Sequence, residues 1–224
     1  MSLKPFYYVD PSITEIGIDE VGRGPLFGRV YSAAVVLPKD DTLFEHSKMK
    51  DSKKFTSKKK LVETANYIKE KAIAYSIQFE DENTIDEINI LQATQQCMHK
   101  CIKDILNQLK EHPTKTLLID GNYFNPYVTF NKDTNKFDSL DHVCVKGGDN
   151  KYSSIAAASI LAKVARDEYI ENLCVLQPDL VEKYSIDSNK GYGSKAHIEG
   201  IRQHGITKWH RKTFGICKEK IESI

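Results

Sequence analysis

Four carboxylates stand out for where they fall. Asp19 and Glu20 are adjacent, close an apolar run holding Ile16 and Ile18, and lead into Gly22-Arg23-Gly24. Asp120 closes Thr116-Leu117-Leu118-Ile119 and precedes Gly121, while Asp149 follows Val143-Cys144-Val145 and the pair Gly147-Gly148. Alone, an aspartate at a strand end is an ordinary turn or cap residue. At three corresponding strand ends the position gains meaning. Neighbouring strands lie about 4.8 Å apart, and open α/β sheets form sites beyond the carboxyl ends of their strands. Four such groups in one cleft repel and raise one another's pKa unless a cation sits between them. Oxygen-only ligands select a hard ion, Mg²⁺ or Mn²⁺. The chemistry that follows is two-metal phosphoryl transfer, one ion acidifying the attacking water and the other steadying the leaving oxygen. Arg23, held between glycines beside the carboxylates, suits a phosphate.

The elements that must position these groups are readable in outline. Residues 15–20 form a strand, and Val30 to Leu37 a second that returns as a hairpin and ends at Pro38. Residues 73–79 alternate as a third strand, so the first three make a meander. Ser57 is placed to cap a helix carrying Leu61, Ala65 and Ile68. A long helix opens at Thr84 or Asp86, with Ile88, Leu91, Met98, Ile102, Ile105 and Leu109 on one stripe, and stops by Pro113. Residues 116–119 and 142–145 are short apolar runs of the kind buried in parallel pairing. Between them, residues 123–141 are polar and predict a small projecting hairpin or loop with no assigned function. A helix of small and apolar residues runs from Ser154 to Val164, and shorter helical pieces follow Pro178. The fold class is α/β with a mixed sheet flanked by helices and a C-terminal helical extension. The expected division is a catalytic domain over 1–172 and the extension over 173–224.

Bulk composition excludes more than it selects. At 224 residues the chain makes one large domain, or a core with a smaller appendage. A formal charge of +1 makes any basic, polyanion-binding surface local. No apolar run approaches the roughly 20 residues that span a bilayer. The start, Met1-Ser2-Leu3-Lys4-Pro5, has no apolar signal region, so a cytoplasmic protein is expected. The five cysteines are odd in number and contain no Cys-x-x-Cys pair, which points to neither a disulfide framework nor a zinc site.

Several blocks together resemble ribonuclease HII: residues 17–24 (Gly-Ile-Asp-Glu-Val-Gly-Arg-Gly), 50–54 (Lys-Asp-Ser-Lys-Lys), 86–94, Asp120-Gly121, 146–149, 154–167, Lys190-Gly191-Tyr192-Gly193, and His210-Arg211 ahead of Phe214. The blocks keep the family's order and span residues 15–215. The resemblance implies a ribonuclease H-like five-stranded sheet. It also implies endonucleolytic cleavage of the RNA strand in RNA–DNA hybrids and incision at single ribonucleotides in duplex DNA, leaving 5′-phosphate and 3′-hydroxyl ends. It assigns catalysis and metal binding to Asp19, Glu20, Asp120 and Asp149, the glycine turn to Gly22, Arg23 and Gly24, and ribonucleotide sensing to Tyr192. The family often has Lys-Gly-Asp where this chain has Lys146-Gly147-Gly148-Asp149; counting back from Ser154-Ile155 keeps Asp149 in register.

Elementary chemistry supports those roles. Telling RNA from DNA means reading a 2′-hydroxyl, and a glycine turn lets backbone groups approach a sugar. Tyr192, between Gly191 and Gly193, offers a ring and a hydroxyl, although on its own it reads as a loop aromatic packing on its helix. Seven lysines against one aspartate between 48 and 60, Lys53 and Lys54 among them, suit duplex phosphates, and equally suit a solvated surface. Lys146, Lys163 and Arg166 fit either the phosphate backbone or the acidic cluster. His197, His204 and His210 match no common metal spacing; one of them could serve proton transfer near the leaving group, but they read better as ordinary tail residues. Two rival functions are a ribonuclease HIII-like hybrid nuclease, disfavoured because only about 14 residues precede the first strand, and an inactive nucleic-acid-binding module. A cluster of four carboxylates opposes the second, since it repels a polyanion unless metal neutralises it. The chain is expected to act as a monomer.

Overall fold

The computed structural model describes residues 3–109, 114–132 and 134–221. Its centre is a five-stranded sheet of β1 (Ile13–Val21), β2 (Val30–Val36), β3 (Ala74–Glu80), β4 (Thr114–Asp120) and, after the hairpin described below, an edge strand at residues 141–145. α1 (Lys58–Lys71) lies between β2 and β3, and α2 (Glu82–Gln108) between β3 and β4. The hairpin is β5 (Val128–Asn131) with β6 (Lys136–Ser139), and the edge strand is β7 (Asp141–Val145). α3 (Ser153–Leu176) follows, then α4 (Asp179–Tyr184), α5 (Ile186–Asn189), α6 (Lys195–His204) and α7 (Gly215–Ile221).

Strand order is β3-β2-β1-β4-β7. The expected meander is present, with β1 antiparallel to β2 and β2 antiparallel to β3. β4 joins β1 in parallel, and β7 joins β4 in parallel. Ile18 pairs with Ile119, so Asp19 and Asp120 are level at the ends of adjacent central strands. Within 123–141, β5 and β6 form an exposed two-stranded ribbon outside the main sheet, as the polar composition predicts, while Phe124 is buried in the core on the α2 side.

Two cores enclose the sheet. Ile16, Ile18, Leu117 and Ile119 point to α2, where they meet Met98, Ile102, Ile105 and Leu109. Ala33, Val35 and Tyr31 point the other way, to α1 and the alanine-rich first half of α3. Those alanines allow close approach. A Cβ built on Gly17 would lie 2.3 Å from the Ser154 carbonyl carbon, so β1 and α3 touch backbone to backbone there.

Some boundaries differ from expectation. α2 begins at Glu82, because the Asp81 carboxylate accepts the Thr84 N–H at 2.9 Å. It is broken at Asn89 (φ 66°, ψ 163°), whose side chain caps the restarted helix by accepting from Leu91 N and Gln92 N. The single stripe is therefore divided. Ile88 packs with Val30 and Phe214, while Met98 onward packs on the sheet. Pro113, expected to limit this helix, lies outside the described residues, and α2 ends at Gln108. Ser57 stands at the N-cap of α1 without a side-chain capping bond. α3 continues unbroken past residue 172 to Leu176, one helix serving both the sheet and the C-terminal segment.

Candidate active site

Asp19, Glu20, Asp120 and Asp149 line one cavity of about 340 Å³, with Lys53, Lys163 and Tyr192 in its wall. Alternation along β1 decides how they face it. Gly17 packs on α3 and Ile18 on the α2 side, so Asp19 points towards α3 and Glu20 towards α2. Asp19 is buried, and its Oδ1 accepts the Glu20 N–H at 2.7 Å. Glu20 receives Arg23 Nη1 at 3.3 Å. Asp120 Oδ1 accepts the Gly148 N–H at 2.6 Å, and Asp149 Oδ1 accepts from Asn150 Nδ2 at 3.0 Å. The Gly148–Asn150 3-10 turn thus couples the third carboxylate to the fourth.

Burial, and then the charges of Glu20 and Asp120, push Asp19 well above the usual carboxylate range. Burial raises Glu20, with Arg23 pulling against it. Asp120 is also raised by burial, partly offset by the Gly148 N–H. Each carboxylate is held by a neighbouring donor, and among the described residues no three His, Cys, Asp or Glu side chains gather closely enough to form a metal site as placed. The donor set nonetheless fits a hard divalent cation. It is all oxygen, and a cation between the groups relieves the repulsion that raises their pKa values.

The glycine turn is shaped from behind by two buried arginines. Arg211 donates to the carbonyls of Gly22 (2.6 Å), Arg23 (2.8 Å) and Gly28 (2.8 Å). Arg166 donates to those of Phe27 (3.4 Å), Arg29 (3.3 Å) and Lys190 (2.9 Å). Gly22 has φ +91°, and a Cβ there would lie 2.4 Å from Arg166 Nε, so neither conformation nor space admits a side chain. Burial and then the nearby Arg166 pull Arg211 down to about 9, which leaves it charged at neutral pH. Backbone bonds Leu26 N to Gly191 O and Gly28 N to Trp209 O join the turn to the C-terminal segment. Tyr192 stands half-exposed against Gly24, whose built Cβ would be 3.7 Å from the ring.

Not every anticipated residue is at the cavity. Lys53 is; Lys54 turns to Asn150 Oδ1 and borders a neighbouring groove with Lys50 and Asp51. Lys163 is held by both oxygens of Asp167 at 2.6 Å. Arg166 reaches neither the acidic cluster nor the surface, because the turn's carbonyls occupy it. The roles of Arg166 and Arg211 were not legible, since nothing in a sequence marks a charged residue for full burial on backbone carbonyls. The family-like blocks 154–167 and His210-Arg211, which contain the two arginines, were the signal.

A central β1 flanked by β2 and β4, helices on both faces and a carboxylate cavity at the strand ends define a ribonuclease H-like nuclease. The family model for ribonuclease HII matches residues 16–217. The ribonuclease HII of Parabacteroides distasonis is 42% identical over 214 residues, covering 96% of each chain. This chain belongs to the ribonuclease HII family and is a ribonuclease H endonuclease. Its fold matches the crystal structure of ribonuclease H2 from Pyrococcus horikoshii OT3 (TM-score 0.67, 24% identity, 94% of this chain and 98% of that one). It also matches Bst-RNase HIII in complex with Mn²⁺ (TM-score 0.70, 18% identity, 95% of this chain and 70% of that one). Among the described residues no helix is long and apolar enough to cross a membrane.

Proposed function

We propose that this endonuclease hydrolyses the RNA strand of RNA–DNA hybrids and incises at single ribonucleotides in duplex DNA, leaving 5′-phosphate and 3′-hydroxyl ends. Asp19, Glu20, Asp120 and Asp149 would hold Mg²⁺ or Mn²⁺, which when bound supplies an acidified water and neutralises charge on the leaving oxygen. Glu20 must then exchange Arg23 for metal, freeing Arg23 to meet a phosphate beside the cleavage point.

The observation that carries this reading is the meeting of Tyr192 with the glycine turn across the carboxylate cavity. In a trans peptide the C=O and the following N–H point in opposite directions. With the carbonyls of Gly22 and Arg23 turned in to Arg211, the N–H groups of Arg23 and Gly24 face outward. Two outward donors and a tyrosine ring make a slot for a ribose, where the 2′-hydroxyl accepts a hydrogen bond that a deoxyribose lacks. Lys53 in the cavity wall and Lys54 beside the neighbouring groove would meet duplex phosphates, a contribution that weakens with salt. On this reading the enzyme acts as a monomer in the cytoplasm, on nucleic acid held against the wall of this one cavity.

The test is a duplex carrying one ribonucleotide, incubated with Mg²⁺ or Mn²⁺ and mapped for cut position and end chemistry. A single cut at the ribonucleotide is expected. Cutting confined to continuous hybrids would favour the ribonuclease HIII-like rival, and metal-dependent binding without product the inactive module. Asp19→Asn is expected to lower the rate more than about 100-fold with duplex binding retained. Normal cleavage by that variant would remove the metal assignment.

A further inference from the structure

We infer that His197 and His210 are positioning residues for Tyr192: two neutral imidazoles in series whose proton placement is dictated by one backbone N–H and which fix the Tyr192 carbonyl. The inference rests on the role given to Tyr192 above.

Both rings are fully buried. The Thr207 N–H donates to His210 Nδ1 at 2.9 Å, and the Thr207 hydroxyl, also 2.9 Å from that nitrogen, can turn its proton to it. A backbone amide only donates, so Nδ1 of His210 carries no proton and its neutral ring is protonated on Nε2. That nitrogen lies 3.1 Å from His197 Nε2, which must accept, leaving the His197 proton on Nδ1. His197 Nδ1 in turn lies 2.9 Å from the carbonyl oxygen of Tyr192, which only accepts. Every link is satisfied by this one assignment; reversing either ring sets N–H against N–H or lone pair against lone pair. The setting also favours neutral rings, since His210 packs edge-on to Phe27 and beside Tyr184, each with centroids 5.1 Å away.

The chain ends where positioning matters. The Ser194 N–H also donates to the Tyr192 carbonyl at 2.7 Å, so both of its lone pairs are engaged, and the Tyr192 N–H donates to the Asn189 carbonyl at 3.0 Å. The peptides on both sides of Tyr192 are therefore fixed, and only the side-chain torsions stay free to meet a ribose. Nothing else in the turn supplies a side-chain donor to that carbonyl among the described hydrogen bonds.

The experiment compares His197→Phe, which keeps the ring volume without the donor, with His197→Asn, whose amide nitrogen can replace Nδ1. Tyr192→Ala and the double variant His197→Phe/Tyr192→Ala complete a cycle, with kcat, KM and the Mg²⁺ dependence measured on a duplex holding one ribonucleotide. His197→Phe is expected to lower kcat about 10-fold or more, as small misplacements near reacting groups do, with an unchanged Mg²⁺ midpoint. His197→Asn is expected to recover most of that loss. In the Tyr192→Ala background, His197→Phe should add less than about twofold, because residues acting through one another are not additive. A normal kcat for His197→Phe overturns the inference, as does an equal further loss in the double variant, which is the signature of a general folding role. If Tyr192→Ala itself keeps normal kcat, the role of Tyr192 fails first and the positioning falls with it. The wild-type protein gives a check that needs no variant to fold: imidazole ¹⁵N shifts at neutral pH should show His197 protonated on Nδ1 and His210 on Nε2. The opposite tautomer in either ring overturns the inference.

Discussion

Gly147 and Gly148 are adjacent glycines with different reasons to be there. Gly147 is left-handed (φ 63°, ψ 43°) with open space where a side chain would go. Gly148 is confined: a Cβ would sit 2.5 Å from Ile155 Cδ1 and 3.3 Å from Asp120 Oδ1, the oxygen its own N–H holds. Gly147→Ala should therefore cost about 1–2 kcal/mol of left-handed strain and keep its response to Mg²⁺. Gly148→Ala should lose a similar amount through overpacking, about 1–3 kcal/mol, and in addition need more Mg²⁺ for half-maximal activity, because Asp120 is displaced. Urea denaturation with a Mg²⁺ titration of cleavage separates the two; identical Mg²⁺ curves would show that Gly148 is merely structural. At this scale the sequence was informative. Counting back from Ser154-Ile155 put Asp149 at the cavity despite the doubled glycine. What it did not reveal was that Glu20 and Arg23, three residues apart, occupy each other.

Among the elements, the contact of β1 with α3 governs how the carboxylates are presented. Gly17 touches the Ser154 and Ile155 backbone, so a methyl group there cannot be absorbed by a side-chain rotation. Gly17→Ala is expected to lose about 3 kcal/mol or more, at or beyond the top of the overpacking range, a large share of the 5–15 kcal/mol typical of a domain. The loss should appear as a lower urea midpoint with an unchanged slope. A midpoint within error of wild type would mean that α3 can retreat freely. Strand identities and the antiparallel-then-parallel pattern were legible, because β-rich runs ended at glycine, proline or aspartate. The break in α2 was not. No glycine or proline marks it; Asn89 stands at positive φ three residues after Asp86, whose carboxylate is tied to the C-terminal segment by accepting from Lys212 N, Thr213 N and Thr213 Oγ1.

For the molecule as a whole, the buried histidines make stability depend on pH. Burial and the neighbouring ring bring His210 down to about 3, and burial lowers His197 as well. In the unfolded chain both titrate near 6.5. Above that pH both states are neutral; below it the unfolded chain binds protons that the folded rings refuse. Each ring then removes up to about 1.4 kcal/mol of stability per pH unit as pH falls, for His210 down to about 3. The raised Asp19, Glu20 and Asp120 act oppositely, gaining stability as they protonate in acid. A comparison of His210→Phe with wild type by urea denaturation from pH 7 to 4 isolates the histidine. The stability deficit of the variant should shrink as pH falls, and a constant deficit would show that the folded ring takes up its proton normally. None of this was visible in the spacing of seven and six residues, which records distance along the chain and not the fold that brings two rings together.

The bond from Arg211 to the Gly22 carbonyl spans 189 positions of the chain. At synthesis rates of about 5–20 residues per second, roughly 10–40 s separate the making of the turn from the making of its support. During that interval a nascent chain acquires all four carboxylates but not the clasp that directs the turn's N–H groups outward. On the function proposed above, the groups that would do the chemistry and the turn that would read the sugar are therefore completed at different times in the life of the molecule. The clasp on the turn is made well after the last of the four carboxylates.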